Sequence, residues 1–276
     1  MISNGASIRV EGEERASDVS SASVLSLQQL TILPGHDKLG RAECFKSIVL
    51  EPGDLVALVG PTGAGKSRLL ADVEWLARGD TPSGRRILVD GNLARGNSRY
   101  HVGAQLVAQL SQTMSFMVDL AVGPFLEMHA QSRAIVDRSR VVTEVLDAAN
   151  QLAGESFDLE TALSGLSGGQ SRALMIADTA LISQSPIVLV DEIENAGIDR
   201  RRALELLLAN DKIVLMATHD PLLALQAERR LVVQNGGVHA VVERSAAEST
   251  LLLELEAMDA RIQSVRNHLR CGEPLT

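Results

Sequence analysis

Gly60-Pro61-Thr62-Gly63-Ala64-Gly65-Lys66-Ser67 is the stretch of this chain with the most chemistry in it. Gly60, Gly65, Lys66 and Ser67 fit G-x-x-x-x-G-K-[ST], a loop whose glycines let backbone N–H groups curl around a polyphosphate. The helix that follows such a loop turns its positive N-terminal end toward the same anion. Lys66 can reach the outer phosphates, and the Ser67 hydroxyl can ligate Mg²⁺. Far downstream, the apolar run Ile187-Val188-Leu189-Val190 ends in Asp191-Glu192. A strand of that kind, buried in a parallel sheet, delivers its C-terminal residues to the edge where the phosphate loop lies. There Asp191 is placed to hold Mg²⁺ through its waters, and Glu192 to orient and deprotonate an attacking water.

These residues need a scaffold, and the intervening sequence supplies one. Residues 55–59 form an apolar strand feeding the loop. Leu69, Leu70, Val73, Leu76 and Ala77 then repeat at helical spacing until Gly79. Residues 24–32, 45–50, 86–90 and 106–110 read as further strands, separated by turns rich in Pro and Gly and by a polar connection over 93–103. From 114 to 153 the pattern is helical throughout, an insert that interrupts the strand–helix alternation. Residues 163–169 are a glycine-rich break, and 173–182 return to helix. Strands at 187–190 and 213–217 follow, the second ending in Thr218-His219-Asp220, with helices at 203–208 and 222–227. A hairpin turns on Asn235-Gly236-Gly237. In the tail, Leu251, Leu255, Met258, Ile262, Val265 and Leu269 form a heptad stripe under three heptads long. It suits either a helix laid on its own domain or one that pairs with a partner.

Composition agrees with an aliphatic core. Of 276 residues, 45% are hydrophobic but only 2% aromatic, which suits Val, Ile and Leu strands covered by helices. No apolar run approaches the roughly 18–20 residues of a membrane span. The serine- and charge-rich residues 1–23 read as a flexible leader rather than a signal peptide, so a cytoplasmic location is expected. The net charge of −9 disfavours extended contact with nucleic acid. Cys44 and Cys271 lie far apart with no metal-type spacing, as ordinary reduced cysteines do.

Leu166-Ser167-Gly168-Gly169-Gln170 is far more specific than any of these. With it, the sequence resembles the ATP-binding cassette (ABC) ATPase family, whose signature is LSGGQ. The resemblance spans roughly residues 24–245. It implies an α/β fold: a P-loop (RecA-like) core with an antiparallel β subdomain and a helical insert near 113–171, followed here by the heptad-patterned tail 246–276. It implies Mg²⁺-dependent ATP hydrolysis by a head-to-tail dimer of two such subunits, identical or paralogous. In such a dimer Ser167, Gly168, Gly169 and Gln170 of one subunit close on the γ-phosphate held by the other.

Further roles follow from the resemblance alone. His219 resembles the switch histidine that contacts the γ-phosphate. The glutamine that contacts metal and γ-phosphate could be Gln109 or Gln112; the family's spacing to Asp119-Leu120-Ala121-Val122 favours Gln112. Asp199 resembles the aspartate that couples the two sites. Met114, Phe116, Met117 and Val118 resemble a groove where transport partners dock, and the Pro82-Ser83-Gly84 turn with Ile87 and Asp90-Gly91 fits the family's PxxGxI…DG segment.

The chain also departs from the family. It has one extra residue between Asp191-Glu192 and Asp199, Ile193 where Pro is usual, and Asp178 where an Arg is usual. The aromatic that stacks on adenine is missing. Tyr100 lies on the wrong side of the loop, Phe45 sits inside a strand, and His36 is the nearest substitute. The expected function is ATP-driven transport through separately encoded membrane subunits, with this chain peripheral on the inner face of the membrane. The alternative is a soluble ABC ATPase that remodels a cytoplasmic protein. A chromosome or DNA-repair ATPase would need a long coiled coil between its nucleotide motifs, and the stretch from Gln112 to Ser167 has no room for one.

Overall fold

A computed structural model describes residues 27–94, 106–111, 116–192 and 197–272. The first apolar segments are short and bounded by turns, and they pair locally. β1 (Leu30–Leu33) runs antiparallel to both β2 (Ile48–Leu50) and β4 (Arg86–Val89), with Leu30 opposite Leu50 and Val89. β5 (Asn92–Leu93) completes a four-stranded sheet in the order β2-β1-β4-β5.

The second sheet has six strands. β3 (Leu55–Val59) lies between β8 (Ile213–Ala217) and β9 (Arg229–Gln234), and the order is β10-β9-β3-β8-β7-β6. β6 (Val107–Leu110), β7 (Ile187–Asp191), β8, β3 and β9 are parallel, and β10 (Gly237–Glu243) folds back on β9. β8 is buried along its whole length, the continuous apolar run expected of a strand covered on both faces.

Strand periodicity assigns alternate residues to two cores. Ile187, Leu189, Ile213 and Leu215 pack with α1 (Lys66–Glu74) and the antiparallel sheet. Val188, Val190, Val214 and Met216 pack with α2 (Val122–Ser132), α3 (Arg138–Leu152), α4 (Gly168–Leu181) and α5 (Arg200–Leu208). The short α6 (Pro221–Gln226) follows β8, and α7 (Ala246–Cys271) ends the described chain. No helix among the described residues is long and apolar enough to cross a membrane.

Several boundaries differ from the sequence reading. β1 starts at Leu30, not at 24. The helical insert is not one continuous pattern. Residues 116–121 precede the first helix, and α2 and α3 are separated by a turn in which Ala134 takes φ +54°. Asp137 then caps α3 by accepting from Arg140 N. α4 begins at Gly168, inside the expected break, because Ser167 and Gln170 form a capping box there. α7 is rotated relative to its heptad stripe. Leu252, Leu255, Glu256, Asp259 and Gln263 are half-buried, while Leu251, Met258, Ile262, Val265 and Leu269 are exposed.

Two buried cations brace the scaffold. The Arg85 guanidinium, fully buried, bonds Glu43 (2.6 Å), Asp72 of α1 (2.7 Å) and the Gly236 carbonyl (2.9 Å). Glu43 also accepts from Gly35 N and Val238 N. With these bonds satisfied the charges tolerate burial, and the antiparallel sheet, α1 and the β9–β10 turn are locked together.

The second cation, Lys212, donates to the carbonyls of Ser183 (2.7 Å) and Ser185 (2.9 Å) beyond the end of α4. Burial pushes its pKa down from 10.5 to about 8. The folded state therefore binds this proton less well than the unfolded chain. The penalty is fully present below pH 8 and is relieved as pH rises from 8 to 10.5. Relative to Lys212→Met, the wild type is expected to gain about 1–2 kcal/mol between pH 7.5 and 10, reduced from the full shift by residual solvent. Urea unfolding of both proteins at the two pH values measures this; parallel pH profiles would refute it.

Candidate active site

β3 ends at Val59 and the chain turns sharply through the loop into α1. Gly60 takes φ +153°, and a Cβ there would come 2.3 Å from the Val233 carbonyl. Gly65 takes φ +106°, and its Cβ would meet Gly236 Cα at 2.6 Å. These two glycines let the loop lie directly on the β9–β10 turn, whose Gly236 N–H donates to the Ala64 carbonyl at 2.6 Å. Pro61 and Thr62 are exposed beside Gly63, and Pro61 O accepts from Ala64 N. Gly65 is the N-cap of α1 and makes no side-chain cap bond, which leaves the first-turn N–H groups without a competing cap, the arrangement that suits an anion.

Lys66, buried at the first position of α1, donates to the Gly60 carbonyl at 3.0 Å. Its Nζ also lies 2.9 Å from His219 Nε2. Parallel pairing of β3 with β8 and of β8 with β7 brings the ends of these strands to the same edge. Ser67 Oγ donates to Asp191 Oδ2 across 3.4 Å. Glu192 leaves β7 at φ +54°, a left-handed conformation costing about 1 kcal/mol or more, with its N–H on the Ala217 carbonyl. Its Oε1 lies 3.6 Å from His219 Nε2. Thr218, buried at the end of β8, fixes the backbone before His219 through its N–H to the Leu58 carbonyl.

Lys66, Ser67, Asp191, Glu192 and His219 thus form one polar cluster. The Ser67–Asp191 oxygen pair fits Mg²⁺, which keeps most of its waters and takes one or two protein oxygens besides substrate phosphates. Among the described residues no cage of three or more His, Cys, Asp or Glu side chains competes for an ion.

The signature segment sits elsewhere. Ser167 Oγ accepts from Gln170 N (3.3 Å), and Gln170 Oε1 accepts from Ser167 N (2.9 Å). Gln170 Nε2 donates to the Glu155 carbonyl, so this side chain is engaged within the cap. Ser167 and Gly168 are exposed, and Gly168 faces open space. Among the described residues, no hydrogen bond or ion pair joins Leu166–Gln170 to Gly60–Ser67. Asp199 caps α5 by accepting from Arg202 N (3.1 Å), and its own N–H donates to the Leu152 carbonyl.

Gln112 and Tyr100 lie outside the described residues. Gln109 sits within β6, opposite Leu189. Phe45 packs against the core of the antiparallel sheet. His36 is exposed on the β1–β2 loop, its N–H on the Ser83 carbonyl. That loop also carries Lys38, whose Nζ reaches the Gly63 carbonyl at 3.2 Å. Sequence reasoning missed Lys38, since no motif marks a lysine folded back onto the phosphate loop from this distance.

Comparison with known proteins now bears on this geometry. A family model described as ABC transporter matches residues 46–195. An uncharacterised ABC transporter ATP-binding protein of Methanocaldococcus jannaschii is 46% identical over 252 residues, covering 91% of this chain and 96% of that one. A cobalamin import ATP-binding protein, BtuD, of Halobacterium salinarum is 30% identical over 77% of this chain and 54% of its own length. Among solved structures, the ATP-binding subunit of an ABC transporter superposes with TM-score 0.60 at 21% identity, over 84% of this chain and all of that one. cbiO1 from Clostridium perfringens, described as part of the ABC transporter complex cbiONQ, superposes with TM-score 0.58 at 18% identity, over 87% of this chain and 98% of that one. The two superpositions speak to the fold, and the extent and identity of the sequence matches speak to kinship. The chain belongs to the ABC transporter family, as one of its ATP-binding subunits.

Proposed function

We propose that two copies of this chain, or this chain and a paralogue, sandwich two ATP molecules and hydrolyse them to drive transport through separately encoded membrane subunits. The observation that carries this is the meeting of Lys66, Ser67, Asp191, Glu192 and His219 at one sheet edge, with Ser167 and Gly168 exposed at the start of α4. A nucleotide held at that edge lacks the contacts that a second subunit's signature helix would add.

In this reading the loop amides from Gly60 to Gly65 cradle the phosphates, and Lys66 turns from Gly60 and His219 to neutralise the β/γ oxygens. Ser67 and Asp191 hold Mg²⁺, which when bound supplies charge neutralisation on the leaving phosphates. Glu192 takes a proton from the attacking water. His219, released from Lys66, donates Nε2–H to the γ-phosphate. Gln112 completes the sensing of metal and γ-phosphate, and Asp199 links the two sites. Ser167 and the Gly168 and Gly169 amides close the partner's site. Little covalent work is asked of the protein, and positioning with charge stabilisation lowers the barrier.

Exposed Met117, Val118 and Met128, with Phe116 edge-on to Phe125 at 5.1 Å, support docking of a membrane subunit at the helical insert. The import and export roles in the names of related proteins favour transport over remodelling of a soluble client. Fractionation of a native lysate tests this. The chain is expected with the membranes, in complex with a multi-span protein, and its ATPase activity is expected to fall to background in EDTA. Recovery only in the soluble fraction with a soluble partner would overturn the transport reading.

A further inference from the structure

Asp220 directly follows His219 and is held from two sides. Its Oδ1 caps α6, accepting from Leu222 N (2.8 Å) and Leu223 N (3.4 Å), and its N–H donates to Thr218 Oγ1 (3.0 Å). Its Oδ2 accepts from Arg200 NH1, at the first position of α5. The other arm of the same guanidinium, NH2, donates to Asp259 Oδ1 on α7 at 3.1 Å. Arg200 and Asp220 are mostly buried, their side chains 16% and 18% exposed. Arg200 and Asp259 line a cleft of about 690 Å³ between α7 and the segment that leads into α5, with Gln151, Ile198 and Gln263 among its walls.

Arg200 directly follows Asp199, Asp220 directly follows His219, and Asp259 lies apart from both on α7. Together they make a continuous polar link from the C-terminal helix to the residue beside the switch histidine. We propose that Arg200 is a positioning residue for His219, and that α7 sets its position through Asp259. A planar guanidinium that bridges two carboxylates, one through each terminal nitrogen, is geometrically demanding. Removing Asp259 leaves Arg200 free to turn toward the cleft, loosening its grip on Asp220 and widening the range of positions His219 samples. The contact affected would be the one to the γ-phosphate, which ADP lacks.

The inference rests on His219 acting at the γ-phosphate, and a double-mutant cycle on the full chain separates the two ideas. Asp259→Ala is suited to this because its side chain is a third exposed, while α7 stays anchored by the Arg230–Glu248 pair and by its packing on α6. Asp259→Ala is expected to lower kcat about three- to tenfold, in the lower part of the range that coupled neighbours give. KM for ATP, the Kd for ADP and the melting temperature are expected to stay as in the wild type, and Asp259→Glu to restore most of the turnover. In a His219→Ala background, Asp259→Ala is expected to have no further effect. If His219→Ala lowers turnover while Asp259→Ala does not, or if the two losses multiply, the link through Arg200 is refuted and the site reading survives. If His219→Ala leaves turnover unchanged, the role given to His219 falls, and the link falls with it.

Discussion

Glu192→Gln is expected to bind Mg·ATP with near wild-type affinity and to lower kcat by about 10²–10⁴-fold, the contribution typical of a positioned general base. The substitution keeps the shape of the side chain and its backbone N–H to the Ala217 carbonyl, so the φ +54° turn at the end of β7 is undisturbed. What it removes is a carboxylate able to take a proton. Lys66, Ser67 and Asp191 remain to hold the nucleotide. Binding is read with a fluorescent ATP analogue and turnover by phosphate release. Because ATP would then persist at the proposed dimer interface, the variant is also expected to elute as an ATP-dependent dimer in gel filtration. Wild-type hydrolysis in this variant would remove Glu192 from the base role and leave His219 as the nearest candidate.

Gly168→Asp is expected to abolish hydrolysis, by on the order of 10²-fold or more, the scale of losing one transition-state anion donor, without harming the fold of its own chain. A Cβ at Gly168 meets nothing within 4 Å, and a carboxylate in the first turn favours α4 through the helix dipole. A single chain should thus be as stable as the wild type or slightly more so. The damage falls on whatever anion approaches the amides at that helix start, which in the proposed dimer is the partner's γ-phosphate. Mixing makes this decisive. Lys66→Ala inactivates a chain's own nucleotide loop and leaves its signature intact, while Gly168→Asp does the reverse. Each variant alone is expected to be inactive. An equimolar mixture is expected to recover up to about a quarter of the wild-type rate, since random pairing makes half the dimers mixed and each of those has one intact site. A mixture no more active than its components would refute the composite site.

Much of the scaffold was legible in the sequence, for identifiable reasons. Residues 55–59 and 213–217 are uninterrupted aliphatic runs bounded by turn residues, and β3 and β8 occupy those positions. The start of α4 was hidden because glycine is a poor helix former inside a helix. At Gly168 and Gly169 the Ser167–Gln170 cap outweighs that preference. The extended segment before α2 was hidden for the opposite reason, since its apolar residues happen to fall at helical spacing. The heptad stripe located α7 but not its orientation, because the contacts that orient it, Arg200 to Asp259 and Arg230 to Glu248, are ion pairs between distant segments. The same applies to Arg85, Glu43 and Asp72, which share no motif and meet only once two sheets and a helix have assembled. Among the residues that could do chemistry, those in contiguous motifs were visible. Lys38, supplied by long-range folding, was not.

The contact between the phosphate loop and the β9–β10 turn has a consequence for synthesis on the ribosome. Gly60 lies on Val233, Gly65 on Gly236, and Asn235 accepts from Lys38 N. The loop is translated early, yet the surface that shapes it is translated more than 160 residues later. β3 likewise waits for β8 and β9 before either of its edges is paired. A nascent chain that carries the complete loop motif but not yet the hairpin has no template for the loop's curvature. Nucleotide capture therefore waits until the β9–β10 hairpin has been made.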